Sequence, residues 1–224
     1  MEQGQSVPAR LGIARWAAVL SITCICGWIV MEMEILGGRM LATVFGSSIY
    51  VTMGSVIGVF LLSLSVGYML GGWFSRRTHS EALLGFSLLG AGLWLCILPF
   101  IKEPVSQAVW ARGLGDEWGS LLAALILFGV PTVLLGTVSP TAIRWLTREA
   151  KDSGFRAGLV LALSTMASFA GCIVTAFYLV RFSMRLVTVV SGVALVVLGA
   201  AVAVHALRRG RVRPPAPARE DAAP

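Results

Sequence analysis

The chain has 224 residues, of which 57% are hydrophobic and 13% charged, with a mean hydropathy of +0.83 and a formal net charge of +7. Soluble domains carry roughly 25% charged residues. An apolar excess this large cannot be hidden in one aqueous core, because too little polar surface remains to cover it, and that excludes a water-soluble globule. The positive balance does not indicate nucleic acid, because the basic residues form short clusters between apolar runs without an aromatic-rich polar surface. Such clusters set membrane topology and meet anionic headgroups.

A helical span needs ~20 mostly apolar residues. Six stretches qualify, at about 16–36, 49–73, 81–101, 119–140, 157–180 and 184–206. They are continuously apolar without alternation, so strands are excluded. The expected fold is all-α, a polytopic bundle of six transmembrane helices over residues 16–208. A cytoplasmic segment, 1–15, precedes it, and a basic tail, 209–224, follows it. With the N-terminus in the cytoplasm, 13 Lys and Arg lie on the inner side and 5 on the outer side. The split predicts a multi-pass protein of the cell (inner) membrane with both termini cytoplasmic.

Span one starts at Trp16. The run after Arg15 exceeds the ~7–15 residues of a signal h-region and no A-x-A site follows, so it reads as a retained span. Its outer end is "MEMEILGGRM". From Trp16 to Glu34 is about 27 Å at ~1.5 Å per residue, which places Glu32 and Glu34 near the outer boundary of a ~30 Å core. Two residues apart, they project to nearly opposite sides of a helix and do not form a carboxylate pair. Gly37 and Gly38 are expected to end or bend the helix and let Arg39 turn back to Glu34. Two readings stand: an interfacial ion pair pinning the end of span one, or a site that attracts a cation or couples a proton.

Span two carries Gly54 and Gly58, and then Ser63, Gly67 and Gly71, at intervals of four that allow close helix approach. Between spans three and four, "KEPVSQAVWARGLGDEW" (102–118) is expected to lie along the outer surface, with Trp110 and Trp118 at the interface. Span four contains Pro131, expected to kink it, and Ser139 with Pro140 near its inner end. Carbonyls freed at such a kink can line a polar cavity. Span five repeats the small-residue device with Ser164, Ser168, Ala167, Gly171 and Thr175. The tail "RRGRVRPPAPAREDAAP" is rich in Pro, Ala and Arg and has too few large apolar residues with which to fold, and disorder with lipid contact is expected of it.

Chemistry-bearing groups are sparse. Cys24, Cys26, Cys96 and Cys172 lie in apolar runs without a zinc pattern, and His79 and His205 are far apart. No metal cluster, no Ser/His/Asp set and no acid–base pair appears, so neither cofactor, metal nor enzymatic activity is expected.

Several segments together resemble one family. "MEILGGRMLATVFGSSIYV", "LSLSVGYMLGGWFSRR", "LLGTVSPTAIRW" and "LALSTMASFAGCIVTAFYLV" cover most of residues 30–185 and are similar to the membrane domain of fused major-facilitator/spermidine-synthase-like proteins. Glu34, Arg39 and Gly46 match the first-loop motif, Gly67, Gly71 and Arg77 the exit of span two, and Ser139 and Pro140 the span-four signature. Ser75 stands where an aspartate is often found. The resemblance implies a major-facilitator-like half and cationic polyamines as the substrate class; Glu32, Glu34 and Arg39 are the expected substrate-binding residues. No glycine-rich, acid-bearing nucleotide loop appears, since the G-A-G of "LLGAGLW" lies within a span, and synthase catalysis by this chain alone is not expected.

Two functions follow. One is a transport-type or small-molecule-binding subunit that is completed by a second copy or another membrane subunit in the bilayer. The alternative is a non-transporting scaffold for a soluble synthase-like protein or larger complex, held by loop 140–156 and the basic tail.

Overall fold

The computed structural model describes residues 9–46, 49–77, 80–146 and 153–211. They form seven α-helices and no strand: α1 (Ala9–Ala42), α2 (Ile49–Arg77), α3 (Ser80–Trp110), α4 (Gly115–Gly136), α5 (Val138–Leu146), α6 (Ser153–Phe177) and α7 (Met184–Arg211). A 3-10 turn, Leu179–Arg181, joins α6 to α7. Since α4 and α5 share one span, the helices make six spans of membrane-crossing length and apolarity. An even number of crossings returns the chain to the side where it began. The expected tail lies outside the described residues beyond Arg211.

The helices run further than the apolar windows suggested. The first span continues from Trp16 to Ala42, straight through Gly37 and Gly38. A lipid environment offers the backbone no water, so leaving the helix exposes bare N–H and C=O groups, which outweighs the ~1 kcal/mol preference of glycine against helix. The third span likewise passes Pro99 and Pro104 and reaches Trp110. Residues 102–118 are therefore no separate surface segment. They are the last turns of α3, a tight turn and the first turn of α4. Gly113 and Gly115 make that turn possible, with φ of +65° and +72°.

Three pairings dominate the packing: α3 with α7, α2 with α4, and α1 with α6. Numbered by span, these are three with six, two with four, and one with five. Exchanging spans 1–3 for spans 4–6 leaves that set unchanged. The exchange holds for these three pairings but not for the next, since α3 packs on α4 far more than α7 packs on α1.

Small residues set the closest seams. On α3, Gly85 and Gly92 are seven residues apart, as are Gly192 and Gly199 on α7. A Cβ on Gly92 would lie 2.7 Å from Gly192 O, and one on Gly199 would lie 2.7 Å from Leu89 N. A Cβ on Gly171 would lie 2.8 Å from the carbonyl oxygen of Trp28, which sets the α1–α6 seam. Gly67 and Gly71 let α2 press on the junction of α4 and α5, where their Cβ atoms would lie 2.8 Å from Gly136 Cα and 2.7 Å from Thr137 Cα. Gly54 and Gly58 have nothing within 4 Å. Among the described residues they pack closely on no other helix, and they leave an open stripe on α2.

The two prolines of span four behave differently. Pro131 lies inside a continuous α4, and its missing N–H leaves the carbonyl of Leu127 without its helical donor. The indole of Trp94, on α3, fills that vacancy, with Nε1 2.9 Å from Leu127 O. The helix breaks at Thr137 instead, one turn before Pro140, whose ring conflicts with continuation at its i−4 carbonyl. Thr137 Oγ1 lies 2.8 Å from Ser87 Oγ and 2.7 Å from Leu134 O, and Thr141 Oγ1 donates to Thr137 O at 2.7 Å. The hydroxyls thereby add second donors to the carbonyls of Leu134 and Thr137, which also accept the backbone N–H groups of Thr137 and Thr141.

Candidate functional site

Glu32 is 3% exposed, in the middle turns of α1. Sixteen residues separate it from Trp16 and ten from Ala42, or about 24 Å and about 15 Å of helix. Its neighbour Ser191 stands seven residues, about 10 Å, from the start of α7. The helix does not end just past Glu32, as the expected stop at Gly37 implied, because α1 continues through Gly37 and Gly38 to Ala42.

Both carboxylate oxygens are held. Ser191 Oγ donates to Oε1 at 2.5 Å, and Trp28 Nε1 donates to Oε2 at 3.1 Å. An indole N–H can only donate, which fixes Oε2 as an acceptor. The Ser191 distance falls in the range of a charge-assisted O–H···O⁻ bond. Trp28 and Glu32 are four residues apart and share one face of α1, as helical spacing requires.

Glu32 and Ser191 form the polar end of a cleft of about 370 Å³ between α1, α6 and α7. The rest of the wall is mainly apolar: Ile25, Trp28 and Ile29 of α1, Ala167 of α6, and Val190 and Ala194 of α7. Cys24 also borders the cleft, its thiol directed to Leu163 O at 3.6 Å. Two local features keep the space open. Ala167 and Ala194 are short where larger residues would fill it. In addition, α6 and α7 hardly touch although they follow each other in sequence. Their connection, Tyr178–Ser183, crosses over at one end.

Glu34 is half-buried on the other side of α1 and has no hydrogen-bond or ion-pair partner among the described residues. It shares a helical strip with Gly27, which meets α6 at Ser164 and Ser168, and with Gly38, which meets α2 at Met53. The expected pairing with Arg39 is not formed. Arg39 is exposed and its guanidinium donates to the carbonyl oxygen of Val180, tying the end of α1 to the turn after α6. Ser139 and Pro140 are half-buried near the end of span four, and Pro140 packs under Gly71. They are not part of the cleft, nor is Pro131.

Of the residues singled out from sequence as substrate-binding, the cleft therefore contains Glu32 alone. Trp28, Ser191 and Ala167 complete it. Trp28 was legible as a donor four residues before an intramembrane carboxylate. Ser191 carried no such signal, because its partner is 159 positions away. No group of three or more His, Cys, Asp or Glu able to hold a metal occurs among the described residues.

No protein-family model, curated protein or solved structure matched the chain.

Proposed function

We propose that this chain is a transport-type or small-molecule-binding membrane subunit that receives a cation at Glu32. The observation that carries the reading is a carboxylate buried in the middle of a span, fixed by two donors and facing a cleft. An intramembrane carboxylate costs ~2.5–3.5 kcal/mol on insertion scales and is by default a candidate functional group. Ser191 and Trp28 occupy two of about four acceptor positions on the carboxylate, which leaves capacity for a positively charged guest.

The exchange of spans 1–3 with spans 4–6 in the three main pairings supports a major-facilitator-like half, in which three-span repeats are nested. A second copy or another membrane subunit would then complete the pathway. The open glycine stripe of α2 and the largely uncovered α6 are the surfaces available for that association. The distribution of Lys and Arg supports both termini in the cytoplasm of a cell (inner) membrane protein. Cationic polyamines are the substrate class that the family resemblance suggests. The scaffold reading depends on loop 140–156 and the tail, and no contact among the described residues favours it.

The test is ligand binding to the full chain in lipid nanodiscs, using a panel of labelled organic cations with Glu32→Gln and Glu34→Gln. Replacing a charge-assisted contact weakens binding by at least about tenfold. That loss is expected for Glu32→Gln and not for Glu34→Gln. Equal cation binding by wild type and Glu32→Gln, with both variants monodisperse, would refute the proposal.

A further inference from the structure

Resting on that cation site, we infer that the cleft takes a lipophilic monovalent cation, a single positive charge on an apolar body, which enters sideways from the hydrocarbon between α6 and α7. Three observations lead there. Glu32 is the sole acidic side chain on the cleft wall, and Glu34 faces the other way round α1. A single carboxylate balances one charge, and each further ammonium of a polyamine would sit desolvated against Ile25, Ile29, Val190 or Ala194, which is unfavourable. Trp28 lies on the same wall with its N–H engaged by Glu32, so its ring is fixed beside the carboxylate. An indole next to an anion suits a cation with low hydration, through charge and cation–π attraction together.

The third observation concerns access. α6 and α7 share almost no contact, and Val190 is 58% exposed on that side. The mouth of the cleft is therefore apolar and lies along the span, within the depth that hydrocarbon would occupy. At its outer end the turn Leu179–Arg181 bridges the two helices, and the guanidinium of Arg39 is anchored to it. A guest dissolved in the bilayer meets the opening directly, with its charge drawn to Glu32 and its body against apolar walls. A strongly hydrated polycation in water meets a positive residue first. Volume agrees too, since about 370 Å³ lies within the range of pockets for small organic ligands.

The experiment uses the full chain in nanodiscs with labelled tetraphenylphosphonium, competed by unlabelled spermidine and by a neutral molecule of similar shape. Saturable tetraphenylphosphonium binding is expected, unaffected by the neutral molecule or by spermidine. Glu32→Gln should weaken it at least about tenfold. Ala194→Phe fills the cleft without touching the carboxylate and should abolish it, which keeps the result readable if Glu32→Gln folds poorly. Spermidine binding that depends on Glu32, without tetraphenylphosphonium binding, overturns the monocation inference and leaves the cation site standing. Absence of Glu32-dependent binding by either probe overturns both. Tetraphenylphosphonium binding that survives Ala194→Phe places it elsewhere and overturns the inference.

Discussion

Trp94 and Pro131 offer the sharpest test of how this fold is held together. Pro131 deprives Leu127 of its helical donor, and the Trp94 indole supplies one at 2.9 Å from the adjacent helix. Trp94→Phe should leave a fully buried carbonyl unsatisfied and also reduce packing. An unpaired buried acceptor costs about 1–3 kcal/mol in water-soluble proteins. Interhelical hydrogen bonds in membranes average about 0.6 and reach about 1.7 kcal/mol, because the unfolded state in the membrane finds partners of its own. The membrane range governs here. Pro131→Ala restores an N–H that can reach Leu127 O in the ordinary ladder, and the carbonyl can accept both donors. Trp94→Phe should therefore be milder in the Pro131→Ala background by about 0.6–1.7 kcal/mol. The loss of ring packing is common to both backgrounds and cancels in the cycle. Reversible unfolding in mixed micelles, followed by circular dichroism, measures all four proteins. Equal cost of Trp94→Phe in both backgrounds, within about 0.3 kcal/mol, would show that the indole does not stand in for the missing donor.

The glycines divide into two classes with opposite expectations. Gly67→Val places side-chain atoms on the backbone of Val133 and Gly136, which cannot rotate away, and should destabilise the chain by about 1–3 kcal/mol or more in the same unfolding assay. Gly54→Val and Gly58→Val meet nothing within 4 Å. They should leave unfolding of the single chain nearly unchanged and instead reduce self-association, read by chemical crosslinking in membranes. Arg39→Ala removes the link to Val180 and should speed proteolysis in the Tyr178–Ser183 connection, while Arg185→Ala, whose guanidinium lies over the Phe100 ring at 4.5 Å, should not. Reporter fusions at residues 1 and 224 should both be active in the cytoplasm; reporters on opposite sides would refute an even number of crossings.

The six spans were legible because they follow from composition alone: long apolar runs cannot be stabilised in water. Their ends were not. Gly37–Gly38 read as a stop by rules learned from soluble helices, where water satisfies a broken backbone. Within a bilayer the same residues stay helical because no alternative donor exists. That difference carried the helix on past Glu32 to Ala42, with Arg39 reaching Val180 and not Glu34. Helix pairing was also hidden, since nothing local joins Ser191 to Glu32 or Trp94 to Leu127. The small-residue stripes on spans two and five were visible as spacing, but spacing cannot distinguish Gly67, pressed against a backbone, from Gly54, facing outward. On α3 and α7 the informative interval was seven, not four, because two antiparallel helices there meet at every second turn.

The distribution of packing across the bundle also bears on where a guest can enter. The α3–α7 and α2–α4 seams are close and glycine-lined, whereas α6 is the least buried span and is held chiefly by α1. Both ends of α6 have additional ties. Arg39 reaches Val180 beyond one end, and near the other Arg156 donates to Leu146 O at 3.3 Å while its guanidinium lies 5.6 Å from the Trp16 ring centre. Between those ties, Gly27 and Gly171 let α1 and α6 cross closely, and Ala167 then leaves room beside Glu32. What α6 lacks is a seam with α7, so the side of the bundle between those two helices is the open one. The carboxylate faces that side. Its two donors, Trp28 on α1 and Ser191 on α7, are both outside α6, so its hydrogen bonds do not depend on the α6 wall. A preset charge beside a gap between two helices is a combination that can accept apolar bodies of different shapes without rebuilding the polar contact.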